Sequence, residues 1–196
     1  MKSIIKKTSS GLYTLPIDSI LSESSRIISI EGEINTETAT DVCKQIIYLA
    51  KENKDMPIKL LITSPGGEVN AGLCIYDCIT GCGVPVHCYC IGSAYSMAAI
   101  IFAAGTKRYM LENSEVMIHE PLISSSRFSG STSSVKSISD NMLAMKKRMC
   151  KILAKHCCRF EDEIEEAISY DHYFNPREAI DFGLADEVVP FSKVIE

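Results

Sequence analysis

The run Pro57-Ile58-Lys59-Leu60-Leu61-Ile62-Thr63, followed by Ser64-Pro65-Gly66-Gly67 and then by the helical pattern Val69 to Thr80, decides how this chain is read. An apolar β-rich run, a turn of residues that break both strand and helix, and a helical stretch together make a strand-turn-helix unit. The unit recurs on both sides. Arg26 to Ile30 predicts a strand and Thr36 to Ala50 a helix before it, while Val84 to Ile91 predicts a strand and Ser96 to Ala104 a helix after it. Such alternation predicts an α/β domain with crossover connections. Two further β-like pieces, Lys107 to Leu111 and Glu115 to His119, flank the turn-forming pair Asn113-Ser114.

Beyond this region the composition changes. Ser124 to Ser139 is dominated by Ser, Thr and Gly and reads as a mobile or substrate-facing loop. Val135, Ile138, Met142, Met145, Met149 and Ile152 then recur at alternating spacings of three and four, which lays them along one stripe of a long helix in heptad register. Lys146, Lys147, Arg148 and Lys151 occupy the other faces. Such a stripe fits ordinary core, or a subunit interface if the helix projects from the domain. Glu161 to Val189 reads as two helical pieces around Asp171 to Pro176, closed by Gly183.

At 196 residues, 46% hydrophobic and 23% charged, the chain suits a single folded domain, at a prior of roughly 150 residues per domain. The boundaries expected are residues 1–196 for one peptidase-like domain, with 1–25 as an N-terminal segment and about 122–158 as loop plus long helix. A net charge of -5 provides no positive field to gather phosphates, so nucleic acid is not expected as a partner. The longest apolar run, Met97 to Ala104, is far below the ~20 residues needed to span a bilayer. With no apolar leader after Met1, the expected location is the cytoplasm, away from membranes. The cysteines number nine, an odd count that suits reduced thiols better than a disulfide framework. Cys74 and Cys78 share a helix face, with Cys82, His87, Cys88 and Cys90 following. Strand alternation sends His87 to the face opposite Cys88 and Cys90, so no metal site is expected there.

Four places carry possible chemistry. Gly66-Gly67 ends a strand where backbone amides can approach and polarise a carbonyl oxygen, unless the pair serves only as a tight turn. In Gly92-Ser93-Ala94-Tyr95-Ser96-Met97, a serine stands where a strand bends into a helix, either as an activated nucleophile or as a helix N-cap. His119 ends an apolar strand just before Pro121, where an imidazole can serve as a general base. Asp171 sits in Tyr170-Asp171-His172, where a carboxylate can orient an imidazole.

Taken together and in this order, the four segments resemble the proteolytic subunit (ClpP) of the Clp protease family over about residues 26–189. The resemblance lies in Ser64-Pro65-Gly66-Gly67 with Val69, Gly72 and Ile75-Tyr76-Asp77. It continues in Gly92, Ala94 and Ser96-Met97-Ala98-Ala99, in Met117-Ile118-His119 with Pro121, and in Asp171, Glu178-Ala179, Gly183-Leu184 and Asp186. It implies a crotonase/ClpP-like α/β fold of repeated β-β-α units with a protruding handle helix. It also implies a serine endopeptidase with Ser96 as nucleophile, His119 as base, Asp171 as its orienting carboxylate, and the amides of Gly67 and Met97 as oxyanion hole. Partners implied are copies of the chain in heptameric rings paired as a tetradecamer, an AAA+ Clp unfoldase that feeds polypeptide substrates, and no cofactor, nucleotide or metal.

The pattern departs from the family at several positions. Tyr95 stands where the family usually has Ala, Glu120 where it has Gln, Ile123-Ser124 where it has a glycine pair, and Ser169-Tyr170 where it has an ion-pairing acid and arginine. Residues 7–25 match it poorly. These departures suit a divergent paralogue, and a second reading is a catalytically weak or regulatory ring subunit that works with a second, more typical one. A third, an acyl-CoA enzyme of crotonase fold, leaves the combination of Ser96, His119 and Asp171 without a purpose.

Overall fold

One long strand organises the sheet. The structure is a computed structural model that describes residues 3–8, 11–122 and 130–195. In it β5 (Val86–Tyr95) pairs along its first half with β6 (Lys107–Met110) and along its second with β7 (Glu115–Ile118), both parallel. On its other side β5 pairs with β4 (Ile58–Ser64), and β4 with β3 (Ile27–Glu31), again parallel. Among the described residues the sheet has seven strands, completed by β9 (Glu187–Val188) beside β6 and by β8 (His172–Phe174) antiparallel to β7. The architecture is mixed α/β with a largely parallel sheet, as the alternation of strands and helices implies.

Alternation along β4 buries Ile58, Leu60, Ile62 and Ser64 against the helices, which sets the core on one face. There α2 (Thr36–Glu52) and α3 (Val69–Gly81) pack together, and α4 (Met97–Ala103) is buried along its whole length. Losing a fully buried ring such as Phe102 would cost about 3 to 5 kcal/mol. The opposite face carries a smaller cluster of Tyr89, Val189 and Val194. Asn35 caps α2 by accepting from the Thr38 amide, and the buried Arg26 closes its other end by donating to the carbonyls of Leu49 and Asn53.

Several boundaries differ from the sequence reading. β5 runs on past Ile91 through Gly92-Ser93-Ala94-Tyr95, of which only Tyr95 has strand propensity of its own, because Ser93, Ala94 and Tyr95 pair with β7. Arg26 is not the first residue of β3 but a left-handed C-cap of α1 (Ile17–Ser25). The segment before it forms a hairpin of β1 (Ser3–Thr8) and β2 (Gly11–Pro16), for which the sequence offered no reading. The Ser-rich segment is not loop throughout. α5 (Thr132–Cys157) begins inside it, with the Ser131 hydroxyl accepting from the Ser134 amide, so these Ser and Thr residues cap and start a helix. The first part of that predicted loop, residues 124–129, lies outside the described residues, as do Ile123 and the chain's first two positions. The two helical pieces expected around Asp171 to Pro176 are α6 (Glu161–Ala167) and α7 (Pro176–Phe182), and the stretch between them holds the short strand β8.

α5 divides in two. Its C-terminal half buries Met149, Cys150, Leu153 and Ala154 against the domain, whereas Val135, Ile138 and Leu143 are exposed. No helix among the described residues is long and apolar enough to cross a membrane.

Candidate active site

Sheet register brings Ser96, His119 and Asp171 together. β7 pairs with β8 so that Val116, Met117 and Ile118 oppose Phe174, Tyr173 and His172, and the next step sets His119 opposite Asp171. β5 pairs with β7 so that Tyr95 opposes Met117, and the amide of Ser96 then donates to the carbonyl of Met117 at 2.8 Å. The three side chains therefore stand at the tips of three adjacent strands, which position a group more precisely than loops do. The His119 ring lies between the other two, with Nδ1 2.9 Å from Asp171 Oδ1 and Nε2 2.8 Å from Ser96 Oγ. A carboxylate only accepts, so Nδ1 carries the proton and donates, which leaves Nε2 to accept from the Ser96 hydroxyl. The imidazole is 14% exposed and the carboxylate 57%, so the base is sheltered while solvent reaches the acid behind it.

The turn that carries Ser96 is strained. Its φ is 55° and ψ −120°, a region costly for a residue with a Cβ. Although Ser96 occupies the N-cap position of α4, its side chain makes no cap hydrogen bond, and the hydroxyl is committed to the imidazole. That distinguishes it from an ordinary capping serine.

The Gly66-Gly67 turn is packed directly against this serine. A Cβ on Gly66 would lie 2.7 Å from Ser96 Cβ, and one on Gly67 would run into the backbone of Ile34, so neither position accepts a side chain. Their positive φ values, 95° and 151°, are open to glycine at little cost. The buried Ser64 hydroxyl accepts from the Gly66 amide, while Ile34 bonds to Gly66 and Glu68 on either side of Gly67. Among the described residues the amides of Gly67 and Met97 have no acceptor, so both remain available to an oxygen beside Ser96.

The positions that depart from the family pattern find partners of their own. Tyr95 does not crowd the serine. Its hydroxyl donates to Glu115 Oε1 at 2.6 Å and its ring meets Tyr173 edge to face at 5.7 Å. The Glu115 carboxylate, assisted by burial, pushes the Tyr95 phenol up to about 12. Glu120 is paired with Lys146 of α5 at 3.0 Å, and Lys146 also reaches Glu165 at 3.2 Å. Ser169 donates to the carbonyl of Glu166, and Tyr170 stacks on His172. Sequence reasoning missed Ser64, Glu115 and Lys146 as supports of the site. For Ser64 a signal was present in its place at the head of the Gly66-Gly67 turn; for the other two only the three-dimensional pairing supplies one.

A hydroxyl, imidazole and carboxylate in one hydrogen-bonded line, beside two free amides, is an arrangement suited to acyl transfer. The model of the Clp protease family matches residues 15–191. The chain is also 36% identical over 192 residues to an ATP-dependent Clp protease proteolytic subunit from Bdellovibrio bacteriovorus, a match that covers 97% of this chain and 90% of that protein.

Proposed function

The chain belongs to the Clp protease family, as a Clp-type serine endopeptidase subunit, and from that premise we propose how its residues divide the work. Ser96 Oγ attacks the carbonyl carbon of a peptide bond while His119 Nε2 takes its proton. Asp171 holds the imidazole in the required tautomer and stabilises the imidazolium that forms. The amides of Gly67 and Met97 receive the negative oxygen of the tetrahedral intermediate, a contribution worth about 3 to 4 kcal/mol where one such donor has been removed. His119 then gives the proton to the leaving amine, and water, activated by the same imidazole, releases the acyl group from Ser96.

The observation that carries this reading is the pair of hydrogen bonds at 2.8 and 2.9 Å that join Ser96, His119 and Asp171. Family membership further supports assembly into rings that receive unfolded polypeptide from a Clp-type unfoldase, with the outer half of α5 as the helix through which two rings meet. The exposed Val135, Ile138 and Leu143 on that half support the assignment.

The deciding experiment treats wild type and Ser96→Ala with a fluorophosphonate probe and a fluorogenic peptide, with native mass measured on the same samples. Ser96-dependent labelling and cleavage by an assembly of about fourteen subunits is the result expected from the resemblance. Labelling that persists in Ser96→Ala would refute the assignment of the nucleophile.

A further inference from the structure

A second group of reactive side chains lies away from the strand tips, between α2 and α3. Cys74 and Cys78 stand one helical turn apart on α3, and Cys43 approaches them from α2. The three sulfurs all lie within 4.8 Å of one another, and Cys43 Sγ is 3.8 Å from Cys74 Sγ. Two sulfurs on a tetrahedral zinc ion with bonds of about 2.3 Å are about 3.8 Å apart. The Cys43–Cys74 pair is thus already at the spacing of two zinc ligands, and no other pair of the trio is more than 4.8 Å apart.

The other cysteines are engaged or placed elsewhere. Cys82 donates to the carbonyls of Ile79 and Val84, Cys88 to that of Ile101 and Cys90 to that of Glu115. The trio also has an entrance. Cys74 is exposed and Cys78 half-buried, both line an open cleft together with Asp77, Cys82 and Arg148, and Cys43 is buried beside them. Burial, then the neighbouring thiols of Cys78 and Cys74, holds the Cys43 thiol well above its ordinary range.

We propose that Cys43, Cys74 and Cys78 form a binding site for one thiophilic divalent ion, zinc(II), with the fourth coordination position open to the cleft. Binding forms three metal–sulfur bonds and releases three thiol protons to solvent; no electron is transferred. Three thiolates around a dication leave a single negative charge, which Arg148 on the cleft wall offsets. Such an ion ties α2 to α3, the helix that follows the Gly66-Gly67 turn and packs through Gly72 on Met97. The site is separate from the hydrolytic machinery and stands or falls without it.

The test uses the reduced full-length protein, titrated anaerobically with cobalt(II) and then with zinc(II). Expected are the thiolate charge-transfer and tetrahedral d–d bands of one cobalt per subunit, bleached by one equivalent of zinc. They should be lost in Cys74→Ser and Cys78→Ser and kept in Cys82→Ser and Cys158→Ser. Because Cys74 is exposed, Cys74→Ser is expected to fold, which keeps the test decisive even if Cys43→Ser does not. Zinc should also raise the melting temperature of wild type and leave that of Cys74→Ser unchanged. Bands that are absent, or that survive Cys74→Ser, overturn the proposal. So does uptake of copper(I) but not zinc, or a Cys43–Cys74 disulfide in a protein that takes up no metal when reduced.

Discussion

The strand tips that hold Ser96 and the outer half of α5 are opposite solutions to the placement of side chains. At the tips of β5, β7 and β8, the side chains of Ser96, His119 and Asp171 are each held by a residue at the tip of another strand, and the serine tolerates a strained backbone because its neighbours fix it. On the outer half of α5, Val135 is 43% and Leu143 63% exposed, apolar surface that the subunit does not cover. One region is complete within a single chain; the other is shaped for something the chain does not contain. Surface of that kind on a helix that elsewhere packs well marks an interaction face.

The sharpest way to break the contrast is at the tips. Ser96→Ala should lower kcat by about 10⁶ with fold and assembly intact, since a serine acting as one unit with its base cannot be replaced by the base alone. Asp171→Asn should cost about 10⁴ through the wrong imidazole tautomer. Because the Asp171 carboxylate is reached by solvent, a much smaller loss on steady-state peptide cleavage would show that sheet register alone orients His119. On α5, Met142→Glu with Met145→Glu should dissociate rings, read as native mass, while circular dichroism and the denaturation midpoint stay put. Unfolding would instead make the stripe ordinary core and erase the distinction.

A fourth change separates strain from chemistry at one residue. Ser96→Gly removes the hydroxyl and relieves a φ of 55°. The relief of about 1 to 3 kcal/mol exceeds the extra chain entropy glycine loses, about 0.5 to 1 kcal/mol. The inactive variant should therefore be more stable than wild type by about 1 kcal/mol in urea. A less stable variant would show that the serine hydroxyl itself holds the turn.

What the sequence disclosed follows the same division. The strands and helices from β3 to α4 are legible because local pattern and burial agree there: β4 alternates, and α4 is apolar throughout. Gly66-Gly67, Ser96 and His119 were visible as residue types at strand ends. Asp171 was visible as one candidate carboxylate among many, and the family resemblance singled it out, because β8 is three residues long and owes its extended form to pairing with β7. The start of α5 was hidden because Ser and Thr read alike as loop or as cap until the acceptor of the Ser131 bond is known. The sulfur trio was half legible. Helical spacing joins Cys74 to Cys78, but no local pattern points to Cys43, some thirty residues earlier on another helix.

The two regions touch through Lys146, which bridges Glu120, next to His119, and Glu165 of α6. These are partly exposed ion pairs, so Lys146→Met should lower stability by no more than about 1 kcal/mol, and the difference should vanish in concentrated salt. The pairing with Glu120, and after it Glu165, raises the Lys146 pKa above its ordinary 10.5. The contribution is therefore fully present below that value and is lost as pH rises through the higher folded one. It is constant around neutrality, where an activity assay is run. kcat should fall by no more than a few-fold, because Glu120 contacts α5 while the bonds of His119 run to Ser96 and Asp171. Denaturation at low and high salt, with kcat measured beside it, decides the matter. A loss of activity near that of Asp171→Asn, with stability unchanged, would mean that the helix positions the histidine and that the two regions work as one device.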